Sequence, residues 1–143
     1  MRTLLSFLIV FACGFSTFAQ SQTNFYLSFP TNDNSTSYDQ ISIPGVGTLD
    51  IWVTYYNYGQ DVQITPNFLD NCGTYEVEYF NQSSPGEILY PEALIDMKTL
   101  SLNETYECHA NQLVYLPYFK IKIDKCFSPT RTIFLMHNLE PSL

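Results

Sequence analysis

An all-β fold, an antiparallel β-sandwich of short strands, is what this 143-residue chain predicts. Three observations carry that prediction. Charged residues make up only 14 % of the chain, while Tyr and Phe number eleven each, a composition suited to a pleated, half-buried surface rather than to helices. Apolar and polar residues alternate with period two in segment after segment. Those segments are short, regularly spaced and bounded by Gly, Pro and Asn turns.

The first residues stand apart from this pattern. Arg2 gives a positive start and Leu4 to Ala12 a short apolar run, after which Thr17-Phe18-Ala19 places small residues where signal peptidase cuts. Ser6, Gly14, Ser16 and Thr17 interrupt the run, so it falls short of the ~20 apolar residues of a membrane anchor. The expectation is a cleaved signal peptide over residues 1–19 and a single secreted domain over 20–143, with no membrane anchor. About 124 residues suffice for one domain with its own core.

The strands then follow in order. Phe25, Leu27 and Phe29 share one face of a strand that ends at Pro30, and Thr31 to Gln40 reads as a polar loop. Ile41-Ser42-Ile43 is a short stub before the Pro44-Gly45-Val46-Gly47 turn. Leu49 to Tyr56 is the clearest strand, with Leu49, Ile51, Val53 and Tyr55 on one face and Asp50, Trp52, Thr54 and Tyr56 on the other. Asn57 to Gln60 turns the chain into Asp61 to Thr65, the second arm of a hairpin, which Pro66 stops. Thr74 to Phe80 alternates, with Tyr75, Val77 and Tyr79 inward and Glu76 and Glu78 outward. Glu87 to Tyr90 follows the Pro85-Gly86 turn, and Glu92 to Leu100 is a short helix or an irregular connector. Glu104 to His109 and Leu113 to Leu116 are weaker strands. Phe119, Ile121 and Ile123 point in and Lys120, Lys122 and Asp124 out, and Thr132 to Met136 is the last strand.

Charge is uneven along the chain. Residues 20–97 contain no Lys or Arg but ten acids. Without residues 1–19, five cations face fourteen acids, a net charge of −9. Such a surface repels phosphate backbones and anionic membranes, so nucleic acid is not an expected partner. The asymmetry reads as solvated outer strand faces ahead of a surface that seeks cations or basic partners.

Cys13 leaves with the signal peptide, and Cys72, Cys108 and Cys126 remain. An odd count in an oxidising compartment implies one disulfide plus a free thiol or a bridge between two chains, hence a disulfide-linked dimer as a possible partner state. Proximity in the chain favours Cys108–Cys126, with Cys72–Cys126 as the alternative. Asn34-Ser35-Thr36, Asn81-Gln82-Ser83 and Asn103-Glu104-Thr105 are N-glycosylation sequons, each in a polar stretch and so expected at the surface.

No catalytic residue, metal site or cofactor is expected. His109 and His137 lie in no metal-ligand spacing, and there is no G-x-S-x-G elbow. Asn32-Asp33-Asn34-Ser35 lacks the Gly and closing Glu of a calcium loop. Glu76 and Glu78 lie two apart on a strand, which is how a solvated face looks. A Cys72–His109 nucleophile pair competes with disulfide formation, the commoner fate of a secreted cysteine. Aromatics are the one positive hint of binding. Trp52 and Tyr56 fall on the Asp50 side of their strand, and such rings anchor protein and sugar contacts.

The strand pattern also resembles the IgGFc-binding protein N-terminal domain family. Asn24-Phe25-Tyr26-Leu27-Ser28-Phe29-Pro30, then Leu49 to Thr54 and Asp61 to Thr65, look like that family's opening strands. Phe119 to Lys125 followed by Thr132 to Asn138 looks like its later hairpin. The loop at Thr31 to Thr48 is longer than the family's, and Leu100 to Leu116 has no counterpart in it. The resemblance implies a secreted β-sandwich that binds extracellular proteins or glycoproteins without catalysis; immunoglobulin binding does not carry over. A CUB-like or lectin-like carbohydrate-binding domain is the second expectation and a small secreted hydrolase the third.

Overall fold

The computed structural model describes residues 21–30, 32–84, 86 and 89–138. The signal peptide expected over 1–19 lies outside the described residues, as do Pro85, Glu87 and Ile88 of the turn and strand expected over 85–90. The described residues form nine strands: β1 Ser21–Leu27, β2 Ser35–Ile43, β3 Gly47–Tyr56, β4 Gly59–Phe68, β5 Gly73–Gln82, β6 Leu94–Ser101, β7 Tyr106–Ala110, β8 Leu116–Lys125 and β9 Arg131–His137. They make two sheets, one of five strands ordered β1-β9-β8-β5-β6 and one of four ordered β2-β3-β4-β7. The all-β sandwich expected from the sequence is therefore present.

The core lies between the sheets and is built from the period-two pattern. Leu49, Ile51 and Val53 of β3, Tyr75, Val77 and Tyr79 of β5, and Phe119, Ile121 and Ile123 of β8 are each no more than 2 % exposed. Each such side chain contributes roughly 1.5–3 kcal/mol by leaving water. Tyr79 stacks on Phe119 with ring centroids 4.6 Å apart. Core tyrosines bring hydroxyls that need partners, and each finds one. Tyr75 donates to the Glu104 carbonyl, Tyr79 to the Gln60 side chain and Tyr106 to Asp96.

Several expectations change. Thr31 to Gln40 is not a loop throughout, because β2 begins at Ser35 and pairs with β3 from Ser35↔Tyr55 to Ile43↔Gly47. Pro66 does not stop β4: it pairs with Leu49, while the β4–β7 ladder ends at Ile64↔Tyr106 and leaves the Pro66 position with a neighbour on one side only. Leu89 and Tyr90 are not in a strand. The stretch Glu92 to Leu100 is no helix; a three-residue 3-10 turn, Pro91–Ala93, leads into β6. Leu113 to Val114 is irregular, and β8 starts at Leu116. One ladder is parallel rather than antiparallel, β1 with β9, from Ser21↔Arg131 to Leu27↔His137. The chain leaves β1 for the other sheet, so its neighbour is supplied by the last strand and not by a hairpin.

The expected Cys108–Cys126 bridge is also corrected: the disulfide joins Cys72 to Cys126. Gly73 pairs with Lys125, so the two cysteines sit directly opposite one step beyond the β5–β8 ladder, with Cα atoms 5.3 Å apart. Cys108 lies on β7 in the other sheet and is a free thiol.

Candidate functional site

The β3–β4 hairpin turns on Asn57-Tyr58 and fixes a register in which Thr54 faces Asp61 and Trp52 faces Gln63. The β4–β7 ladder extends both rows, placing His109 beside Asp61 and Glu107 beside Gln63. On the other side, β2 sets Thr36 beside Thr54 and Tyr38 beside Trp52. Because the alternate positions Val53, Val62 and Ala110 are buried, these side chains share the outer face of the four-stranded sheet. One row reads Thr36-Thr54-Asp61-His109 and the next Tyr38-Trp52-Gln63-Glu107.

Trp52, Thr54, Asp61, Gln63, Glu107 and His109 border a shallow depression of about 500 Å3. Trp52 is half-buried, and its ring lies 5.1 Å from the ring of Tyr38, which is 53 % exposed. Asp50 braces the Tyr38 side: it accepts hydrogen bonds from the Tyr38 hydroxyl at 2.6 Å and from the Gln40 and Asn67 amides at 2.8 Å each. Those donors, Tyr38 foremost, hold the Asp50 carboxyl below its ordinary range. Thr36 and Thr54 hydroxyls pair at 2.9 Å.

Tyr56 does not border the depression but lies two residues beyond Thr54 on the same face. Its ring is 6.4 Å from that of His109, and its hydroxyl bonds to Asp61, which raises the phenol's pKa. Asp61 also takes a hydrogen bond from His109 Nδ1, and this contact raises the imidazole above its usual value. The structure thus brings the two sequence-predicted residues, Trp52 and Tyr56, onto one face and surrounds them with Tyr38, Asp61, Gln63, Glu107 and His109. Sequence reasoning did not find these five. The Asn57-Tyr58 turn carried the signal for Asp61 and Gln63, since a two-residue loop fixes what faces what. Tyr38 was hidden because its strand read as a loop.

The sequons and the Cys72–Cys126 bridge fall elsewhere, while Cys108 also borders the depression. Cys108 is half-buried on the inner side of β7 and packs against the core. Burial is the main cause that pushes its thiol pKa up, so it is a poor nucleophile. His109, its neighbour in sequence, points to the opposite face, and Cys72 is held in the disulfide. Asn34 and Asn103 are exposed, in the turns before β2 and β7. Asn34 adopts a positive φ of 60° in its turn, with its backbone N–H bonded to the Tyr55 carbonyl. Asn81 differs: its amide nitrogen donates to the Leu113 carbonyl at 3.1 Å, and its side-chain oxygen accepts from the Tyr115 N–H at 3.2 Å. A glycan on that nitrogen would take one of its two hydrogens and leave one to reach Leu113, at a position that is half-buried. Among the described residues, no three His, Cys, Asp or Glu side chains come together to hold a metal ion, and no helix is long and apolar enough to cross a membrane.

The chain matches no family model, no curated protein and no solved structure.

Proposed function

We propose that this chain is a secreted, glycosylated, non-catalytic binding module that recognises extracellular glycoproteins through the outer face of its four-stranded sheet, with a sugar as the group that sits on Trp52. One observation carries the reading. A half-buried indole, flanked by a second ring, borders a shallow depression with an amide and two carboxylates, Gln63, Asp61 and Glu107. A sugar offers an apolar C–H face for a ring and hydroxyls for planar polar groups, and a shallow site of mixed character accommodates both. The resemblance of the strand pattern to a secreted binder family supports the same class. Basic protein segments are the second reading, favoured by the cation-free stretch of residues 20–97, which supplies Asp61 to this face.

The test is glycan-array and glycoprotein binding by the purified secreted protein, with Trp52→Ala and Trp52→Phe compared at matched folding. Glycan or glycoprotein binding that falls at least tenfold in Trp52→Ala and is largely kept in Trp52→Phe is expected. Binding that is undiminished in Trp52→Ala, or a wild-type protein that retains no glycan or glycoprotein, would overturn the proposal.

A further inference from the structure

The outer face of the five-stranded sheet has a pattern that ligand binding on the other sheet does not use. Register carries one row of apolar side chains across all five strands: Tyr26 beside Met136, then Tyr118, Phe80 and Leu94. The rings of Phe80 and Tyr118 are 6.2 Å apart and those of Tyr118 and Phe134 6.1 Å. None of this row enters the core: Tyr26 is 60 % exposed and the rings of Phe80 and Tyr118 are half-buried, as is Phe134 in the next row. The adjoining rows on the same face carry charge, with Lys120 opposite Glu78 and Lys122 opposite Glu76. The face is thus an aromatic band beside an array of paired opposite charges. A continuous apolar band rimmed by polar groups marks an interaction surface.

We infer that this face docks on the same face of a second copy of the chain. Charge complementarity selects that occupant. Two copies of a protein with five cations against fourteen acids over residues 20–143 repel each other over most of their surfaces. Two of those five cations, Lys120 and Lys122, stand on this one face opposite Glu78 and Glu76, with Asp124 as a third acid near the end of β8. The pattern is also self-complementary. A two-fold axis lying between β5 and β8 and parallel to them places β5 of one copy over β8 of the other. Lys120 then meets the partner's Glu78, Lys122 meets the partner's Glu76, and Tyr118 meets the partner's Phe80, each contact made twice as an isologous interface requires. The same axis sets β9 over β6, so Phe134 and Met136 cover Met97 and Leu94. Five strands at about 4.8 Å give a face roughly 20–24 Å wide, the scale of a modest reversible dimer rather than an obligate one. No sequon asparagine projects from this face: Asn34 and Asn103 lie in turns leading to strands of the other sheet, and Asn81 is tied to Leu113 and Tyr115.

Sedimentation velocity of the mature secreted protein over a concentration series tests the inference. A monomer–dimer equilibrium is expected, unchanged in Cys108→Ser and weakened at least tenfold in Lys120→Glu. The decisive arm mixes two variants. Lys120→Glu alone sets Glu against Glu across the axis, and Glu78→Lys alone sets Lys against Lys, so each stays monomeric. Mixed together, every cross-axis pair is of opposite sign and a heterodimer forms. Urea unfolding of each variant confirms that it is folded. A wild-type protein that is monomeric throughout, a dimer indifferent to Lys120→Glu, a mixture that stays monomeric, or a dimer lost only in Cys108→Ser would each overturn the inference.

Discussion

Asn81 shows how two roles can meet on a single side chain. Its sequence context accepts a glycan, but in the folded chain its side chain holds the segment before β8 by bonding both the Leu113 carbonyl and the Tyr115 N–H. A half-buried amide bonded on both sides is a poor glycan acceptor once the chain has folded. Peptide mapping of protein secreted from a eukaryotic host is expected to find glycan on the exposed Asn34 and Asn103 and an unmodified Asn81. Replacing Asn81 with Ala leaves the part-buried Leu113 carbonyl without this donor and the exposed Tyr115 N–H to water, and should lower stability by about 1–3 kcal/mol in urea unfolding. Two aspartates respond to pH with opposite sign. Donors from Tyr38, Gln40 and Asn67 lower the Asp50 pKa below its ordinary 3.8. Its contribution is therefore complete above about that pH and is lost as pH falls through the lower folded value. Asp39 is on the inward side of β2, and burial alone raises its carboxyl, so its ionised form opposes folding and protonation favours it. Asp50→Asn should therefore be less stable than wild type near neutrality and equal to it in strong acid. Asp39→Asn should be the more stable protein near neutrality, with its advantage shrinking as pH falls. Unfolding midpoints across pH compare both pairs.

Among the elements, β5 and β8 form a ten-pair ladder from Gly73↔Lys125 to Gln82↔Leu116, closed by the disulfide. Gly73 has φ 125°, and a Cβ there would overlap the Asp124 carbonyl, so only glycine lets the strands meet next to the bridge. The bridge closes a loop of 54 residues. Removing it as Cys72→Ala with Cys126→Ala should cost about 2–4 kcal/mol, read as a lower urea midpoint with β-sheet circular dichroism retained. The strands with a neighbour on each side were all legible in the sequence, as was edge strand β1, whose Phe25 and Leu27 face inward. β3, β5 and β8 alternate cleanly because one side of each is packed against the core. β2 and β6, each at the edge of its sheet, escaped the pattern for a shared reason. The first half of β2 is Ser, Thr, Tyr, Asp and Gln, since an edge strand reaches past the core and its inward positions there are only half-buried. The inward positions of β6 include Asp96 and Lys98, which bond Tyr106 and the Glu107 carbonyl on β7 rather than filling the core. Inward polar residues erase the alternation, so the segment read as a connector. The candidate site suffered the same way. Trp52 was legible on a central strand, while Tyr38 on edge strand β2 and His109 on edge strand β7 were not.

Over the whole molecule, the first and last strands are neighbours. β9 lies between β1 and β8, and β1 has no other neighbour in the sheet. The β1–β9 pairs are more than one hundred residues apart in sequence, so the chain must close nearly its full length before the five-stranded sheet is complete. Non-local pairing of this kind makes folding slow, on the scale of milliseconds to seconds for sandwiches. It also makes the two termini unequal. Deleting Ser21–Leu27 exposes the edge of β9 and removes Leu27 from the core, but leaves β9-β8-β5-β6 and the disulfide intact. Deleting Arg131–His137 removes Ile133 and Leu135, both no more than 1 % exposed, and strands β1 without a partner as well. Two such side chains are together worth several kcal/mol, a large fraction of the 5–15 kcal/mol that holds a typical domain together. The β1 deletion should therefore give a folded protein with a lowered urea midpoint. The β9 deletion should give a chain without a cooperative transition, whose Cys108 reacts with iodoacetamide as fast without denaturant as with it. A β9 deletion that kept Cys108 protected and unfolded cooperatively would show that β1 and β9 are an appendage rather than the closing step of the sandwich.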